Sequence, residues 1–287
     1  MRNIGFDEYS LDTSPGFMST KHYFRKYLYT PIQEKRVHFL ADILERVVTM
    51  DIYQPKIRKL APNIPILLFN DGQDLEKIQI KPIFRKLLTN RHIKPCIIVG
   101  IHSNANRNHE LGTTQFLESN GYGKDAAAYQ DFIIHQLIPY LKDQFGERSP
   151  FFMAGFSLGG LSALDLVLNH PDSFAGVGVF SGALWWRDYP FIPSQPNANL
   201  IIPRKIQSLK DTPKQKFWFQ AGTLEETSDR DNNGVIDVID DSLRTIQELK
   251  KKKVPQQRIT YVEIKGGKHD YATWRKAMGG FLVFCGR

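Results

Sequence analysis

The chain has 287 residues, of which 41% are hydrophobic and 24% charged, and its formal net charge is +8 at pH 7. This composition excludes a disordered or collagen-like protein, and the length fits one large domain. The basic excess alone does not separate an anionic partner from a lysine-rich surface.

The ends of the chain and its cysteines carry little signal. No run approaches the ~18 consecutive apolar residues of a membrane-spanning helix, and the N-terminal segment lacks the apolar core of a secretory signal. We therefore expect a cytoplasmic protein with no membrane span. Cys96 and Cys285 are too few for a disulfide framework and have no metal-ligand spacing. Residues 1–35 are predicted to extend a single domain that covers residues 1–287.

Short apolar runs alternate with amphipathic segments of helical length. Residues 36–44 and 45–53 predict a pair of strands, as a hairpin or adjacent antiparallel neighbours. Buried strands that alternate with helices are typical of a mostly parallel sheet with helices on both faces, so the fold class is α/β. The remaining strands are predicted at residues 64–69, 95–101, 151–154, 175–180, 216–221 and 258–264, and the helices at residues 124–145, 158–169, 241–252 and 270–284.

A serine between two glycines lies where a strand passes into a helix. The segment 155–159 reads Gly-Phe-Ser-Leu-Gly, between the strand that ends at Ala154 and the helix that begins near Leu158. Such a turn needs small residues on either side of the serine, and it raises the hydroxyl above the sheet beside the next amide. Outside this context the pattern is weak. Within it, Ser157 is predicted to be a nucleophile in an α/β-hydrolase fold.

A serine nucleophile needs a base and an acid, which this fold places after later strands. His269 follows the last strand on a glycine-containing loop and is the predicted base. The acid is expected after residues 216–221, where Glu225 is nearest to the strand end and Glu226 and Asp229 are alternatives. The chain order of serine, acid and histidine agrees with the fold.

Other residues are predicted to surround this centre. The amides of Leu158 and Gln73 are candidate oxyanion donors, because a turn follows the strand at residues 64–69. Asp71 is predicted to stabilise that turn. Trp185 and Trp186 follow another strand and are predicted to wall a substrate pocket, with core packing as the alternative.

Two further features follow strand ends. Arg107 and Glu110 are predicted to pair at the pocket rim or to lie exposed. His102 and His109 are candidates to face the pocket.

An acidic loop follows the candidate acid. Oxygen ligands recur at the spacing of a calcium-binding loop, with a glycine at the sixth position. The alternative is an acidic turn in which residues 240–242 cap the next helix. A calcium ion here is expected to have a structural role only, and no cofactor is predicted for catalysis. The candidate ligands are Asp229, Asp231, Asn233, Val235, Asp237 and Asp240.

From about residue 47 onward the chain resembles the putative esterase family of α/β-hydrolases, which includes enterochelin esterases, feruloyl esterases and S-formylglutathione hydrolases. The resemblance implies Ser157 as nucleophile, His269 as base and Glu225 as acid. The chain differs from the siderophore enzymes in having no large N-terminal domain, which argues against a siderophore substrate. The resemblance depends on residues 68–73, 154–160, 180–186, 221–225 and 266–270, and on Trp274.

These features together predict a serine hydrolase that cleaves small carboxylic esters through an acyl-enzyme. Alternatives are acyl transfer or thioester hydrolysis by the same residues, or a non-catalytic calcium-dependent binding domain. The expected partner is a small-molecule ester. Nucleic acid is not expected, because no recognition motif accompanies the positive charge. The sequence does not indicate an oligomeric state or the identity of the ester.

Overall fold

The computed structural model describes residues 31–57, 60–115 and 121–286. Most of the predicted N-terminal extension, residues 1–30, lies outside this part, and residues 32–35 belong to the first strand. The described residues form one sheet of eight strands: β1 (Ile32–Ala41), β2 (Arg46–Pro55), β3 (Ile66–Asn70), β4 (Ile97–Ile101), β5 (Phe151–Phe156), β6 (Gly176–Phe180), β7 (Lys216–Gly222) and β8 (Ile259–Ile264).

The strand order is β1-β2-β4-β3-β5-β6-β7-β8. The pairs β1–β2 and β2–β4 are antiparallel, and every other neighbouring pair is parallel. The predicted hairpin and the mostly parallel α/β sheet are both confirmed.

Helices cover both faces of the sheet. Side chains along each central strand alternate between two cores, because successive residues point to opposite faces: Ile66 and Leu68 belong to one, Leu67 and Phe69 to the other. The helices are α1 (Ile80–Thr89), α2 (Arg107–Glu110), α3 (Ala126–Phe132), α4 (Ile138–Phe145), α5 (Leu158–Asn169), α6 (Ile201–Ser208), α7 (Asp237–Lys251) and α8 (Tyr271–Cys285), with a π-helical turn at Ile133–Leu137.

The predicted helix bounds differ from the structure at several places. Helix α7 begins at Asp237, so residues 240–242 lie inside it and do not cap it, which makes the predicted capping role wrong. Helices α1 and α6 are additions to the prediction. Each has a proline in its first turn, Pro82 and Pro203. That position tolerates proline, because its N–H would have no helical acceptor.

Candidate active site

The carboxyl ends of the parallel strands meet at one edge of the sheet, where ligands bind in open α/β folds. Asp71 follows β3, Ser157 follows β5 and Ser181 follows β6. All three have left-handed backbone angles, with φ of 56°, 54° and 48°. Non-glycine residues in this region store strain and cluster at functional sites.

Ser157 occupies a tight turn between β5 and α5. A Cβ on Gly155 would lie 2.3 Å from the carbonyl oxygen of Gly159, and a Cβ on Gly159 would lie 2.8 Å from Asp71 Oδ2. Both positions therefore require glycine. The Ser157 amide donates to the Phe180 carbonyl over 2.9 Å, which ties the turn to the end of β6.

His269 is paired with one of the three candidate acids. Its Nδ1 donates to Glu225 Oε2 over 2.8 Å, and the Glu225 side chain is 1% exposed. Glu226 instead accepts a hydrogen bond from the Val238 amide at the start of α7. Asp229 accepts from the amides of Asn233 and Gly234 within its own loop. Of the three candidates, Glu225 is therefore the one that is hydrogen-bonded to the imidazole.

A second layer of hydrogen bonds holds Glu225. Its Oε1 accepts from the Gly222 amide and, over 2.7 Å, from Ser181 Oγ. The indole Nε1 of Trp274 donates to Ser181 Oγ over 2.8 Å. The sequence reasoning did not assign these contacts to Ser181 and Trp274. A small polar residue directly after a buried strand at this edge is the signal that could have indicated Ser181.

Aromatic rings connect the histidine to the serine turn. The Trp274 ring lies edge-on to His269, with centroids 5.3 Å apart, and stacks on Phe156 at 4.9 Å. Phe156 directly precedes Ser157. Trp274 is therefore packed between the base and the residue before the nucleophile.

Two amides at the starts of helical turns have no helical acceptor in the described part of the chain. Leu158 is the first residue of α5, so its N–H has no acceptor within the helix. In the 3₁₀ turn Gly72–Asp74 the first helical hydrogen bond is donated by Asp74 to Asp71 O, which leaves the Gln73 amide without a helical acceptor. The two amides follow the neighbouring strands β3 and β5, and their role as oxyanion donors stays a prediction.

The turn that carries Gln73 is held through the carboxylate of Asp71. Arg107 contacts it with two hydrogen bonds, Nε to Oδ1 over 2.6 Å and Nη2 to Oδ2 over 2.7 Å. Ser103 Oγ also donates to Oδ1, over 2.6 Å. The Ser103 amide in turn donates to the Gln73 side chain over 3.0 Å. Asp71 thus stabilises its turn, as predicted.

The predicted pairing of Arg107 with Glu110 is wrong. Arg107 is turned toward Asp71, and Glu110 accepts two hydrogen bonds from Arg46 on β2. The two residues are three positions apart on the short helix α2. The partner of Arg107 follows strand β3, and the partner of Glu110 is the first residue of β2. Arg107 therefore ties α2 to the turn after β3, and Glu110 ties it to the start of β2.

His102 contacts the sheet. Its Nε2 donates to Asp51 Oδ2 over 2.7 Å, beside two hydrogen bonds from Arg36. Burial pushes the pKa of Asp51 up, but the hydrogen bonds from Arg36 and His102 outweigh it and hold that pKa below its usual value. The imidazole is thus engaged with β2.

The two candidate pocket tryptophans lie in different environments. Trp185 is 48% exposed, and its role in a substrate pocket stays a prediction. Trp186 is 2% exposed, belongs to the core and packs so closely on Gly112 that a Cβ there would lie 2.9 Å from its ring. Core packing, the alternative interpretation, accounts for Trp186.

The acidic loop is paired with two arginines. Arg244 bridges Asp231 and Asp240, with contacts of 2.7 and 2.6 Å, and Arg230 contacts Asp237 over 3.0 Å. Oxygen donors suit calcium, but in the described part of the chain no group of three or more His, Cys, Asp or Glu side chains could hold a metal ion. The side chains as arranged do not fit a calcium shell, and calcium binding stays a prediction.

None of the helices in the described ranges is both long enough and apolar enough to cross a membrane.

The chain is similar in sequence and in fold to known proteins. The profile of the family described as "Putative esterase" matches residues 41–284. An uncharacterized protein of Bacillus subtilis, YjcH, is 22% identical over 85% of this chain and 92% of its own length. The iron(III) salmochelin esterase of Escherichia coli is 25% identical over 79% of this chain, which spans about half of that relative, 51% of its length.

A similar fold occurs in the enterobactin esterase FES from Shigella flexneri, solved in the presence of enterobactin. Its TM-score is 0.68 at 19% identity, over 91% of this chain and 61% of that one. At this identity the likeness concerns the fold alone.

Proposed function

The chain belongs to the "Putative esterase" family and is a carboxylic ester hydrolase, and we propose that it acts through Ser157, His269 and Glu225. The observation that carries this proposal is the His269–Glu225 hydrogen bond, at the sheet edge where Ser157 occupies its strained turn. A carboxylate can only accept hydrogen bonds when ionised, so Nδ1 carries the proton. The other ring nitrogen, Nε2, is then free to act as the base.

The reaction follows from these roles. Ser157 Oγ attacks the ester carbonyl carbon as its proton passes to His269 Nε2, and the amides of Leu158 and Gln73 hold the negative oxygen. The carbon–oxygen bond to the alcohol then breaks, and the alcohol leaves with the proton from Nε2. Water then attacks the acyl-serine as one of its protons passes to His269 Nε2. Nε2 gives this proton to Ser157 Oγ as the bond to the acyl group breaks, which restores the hydroxyl and releases the acid. Glu225 keeps the imidazole oriented and stabilises its cation.

Acyl transfer and thioester hydrolysis would use the same residues with another acceptor or leaving group. A non-catalytic binding domain would need none of the His269–Glu225 geometry, so that alternative explains less of the site.

The test compares wild type with Ser157→Ala on p-nitrophenyl acetate, p-nitrophenyl butyrate and esters of aromatic acids. We expect hydrolysis to disappear in the variant and a fluorophosphonate to label Ser157 alone. Equal rates in both proteins, or labelling of another serine, would reject the mechanism. Hydrolysis products measured with and without an added alcohol acceptor separate hydrolysis from acyl transfer.

A further inference from the structure

Two residues outside the triad, Ser181 and Trp274, form a hydrogen-bonded chain that ends on Glu225. We propose that this Trp274–Ser181 relay is a positioning device that fixes the Glu225 carboxylate against His269. The inference rests on the proposed function, since it assigns these two residues a role in the same reaction. In this role both residues act through Glu225.

The relay has a direction, which follows from its donors and acceptors. An indole N–H can only donate, and a hydroxyl has one proton to give. Because Trp274 Nε1 donates to Ser181 Oγ, the hydroxyl proton is directed to Glu225 Oε1. The Gly222 amide also donates to Oε1. With Oε1 fully engaged, Oε2 faces His269 Nδ1.

Ser181 itself is held firmly. It is buried, its φ is 48°, and its amide donates to the Gln220 carbonyl over 2.8 Å. The hydroxyl therefore has a fixed origin. Loss of the Ser181 hydroxyl would remove one of the hydrogen bonds donated to the buried Glu225 carboxylate. The carboxylate could then rotate away from His269 Nδ1. A poorly placed carboxylate orients the imidazole less well and stabilises its cation less during the reaction.

Other titratable groups near Glu225 and His269 can also affect the pH profile, and the substitutions described below leave these groups in place. Glu226 and Tyr261 face Glu225. Lys268 and Asp270 flank the histidine, and Tyr271, which contacts Trp274, is hydrogen-bonded to Asp74 and Lys77.

The experiment is the pH profile of kcat/KM for Ser181→Ala on p-nitrophenyl butyrate. We expect kcat to fall about tenfold with KM within about twofold, since small misplacements of catalytic groups act on the chemical step. The acidic limb should move to lower pH, in the same direction as in Glu225→Gln and by less. Ser181→Gly, which suits the left-handed backbone, provides a second variant if Ser181→Ala does not fold.

Trp274→Phe tests the first link of the relay. It should move the acidic limb in the same direction, by less than Ser181→Ala does, and it should add no shift in the Ser181→Ala background. The matched control is Trp218→Phe. Trp218 is buried in the same core as Trp274, and its Nε1 has no hydrogen-bond partner within the described residues. Its substitution should lower the melting temperature and leave the pH profile unchanged.

The relay would be overturned if the folded Ser181 variants kept both the acidic limb and the kcat of the wild type. It would also be overturned if their acidic limb moved to higher pH. Additive shifts in the double variant, or an equal shift in Trp218→Phe, would overturn the role of Trp274. These failures are distinguishable from failure of the proposed function, which would appear as hydrolysis that survives Ser157→Ala.

Discussion

Arg107 offers a test of how the oxyanion site is built. Replacement by Met removes both hydrogen bonds from the guanidinium to Asp71, whose side chain is 3% exposed, and leaves Ser103 as the remaining side-chain donor. Breaking a buried ion pair costs about 3–5 kcal/mol. Because Arg107 is 32% exposed, water can reach the vacated space. We therefore expect a loss of about 2–3 kcal/mol in the free energy of unfolding.

The effect on catalysis should exceed what this stability loss explains. Asp71 begins the turn that carries the Gln73 amide, so an unclamped Asp71 would misplace this proposed oxyanion donor without deleting it. Complete loss of such a donor costs about 10²–10³ in kcat. We expect Arg107→Met to lower kcat by about 10- to 100-fold, with KM nearly unchanged. Arg107→Lys keeps the positive charge but not the two parallel hydrogen bonds, so its kcat should lie between those of wild type and Arg107→Met.

The matched control is Arg46→Met. Arg46 makes the corresponding bidentate pair with Glu110 on the same short helix α2, and its hydrogen bonds within the described residues go to Glu110 and Val47, not to the turn at Asp71. Its loss should cost comparable stability in urea unfolding and leave kcat at the wild-type value on p-nitrophenyl acetate. If Arg107→Met keeps a wild-type kcat, or if the two variants lose activity equally, the clamp has no specific role in the oxyanion site.

Three further outcomes are expected. Glu225→Gln should lower kcat at least about 100-fold, because Glu225 is hydrogen-bonded to His269. The Glu226 carboxylate contacts the start of α7, so Glu226→Gln should lower the free energy of unfolding by about 1 kcal/mol and keep the wild-type kcat. Similar kinetics for the two variants would contradict the assignment of Glu225 as the acid. Because the folded-state pKa of Asp51 lies below its unfolded value, its pairing stabilises fully above about pH 4 and is lost as the pH falls through the folded-state pKa. The stability gap between wild type and Asp51→Asn, measured by urea unfolding, should therefore narrow from pH 7 to pH 3, and a constant gap would refute this. Since Arg230 and Arg244 already pair with three of the four aspartates at residues 229–240, calcium and EGTA should give equal melting temperatures. A calcium-dependent rise of several degrees would support the sequence-based prediction instead.

The sequence predicted the fold because its strands are apolar on both faces and its key turn has a strict steric requirement. Gly155 and Gly159 leave no room for a side chain, so their spacing around Ser157 indicates the backbone geometry directly. His269 could be located from its place after the last strand. In such positions, local pattern and tertiary structure demand the same residues.

The rest depends on side-chain direction, which spacing along the chain does not specify. Arg107 and Glu110 are close in sequence, yet each pairs with a strand-end partner far away, Asp71 and Arg46. The donors to Glu225 also come from distant segments. Trp274 Nε1 reaches Ser181 Oγ across 93 positions of sequence. Only the strand order brings these groups together.

The left-handed backbone at Asp71, Ser157 and Ser181 has a consequence for how this protein can change. Each such residue costs about 1–3 kcal/mol, and a folded domain has a net stability of only about 5–15 kcal/mol. Glycine would relieve the strain at each position and remove the side chain that the site uses. At Asp71 this gain is offset by the loss of the buried pair with Arg107, and at Ser181 by the loss of a donor to Glu225, so a net gain in stability from glycine is expected at Ser157 alone of the three. An engineer who wishes to stabilise the enzyme should leave these three positions fixed and search for gains elsewhere in the molecule.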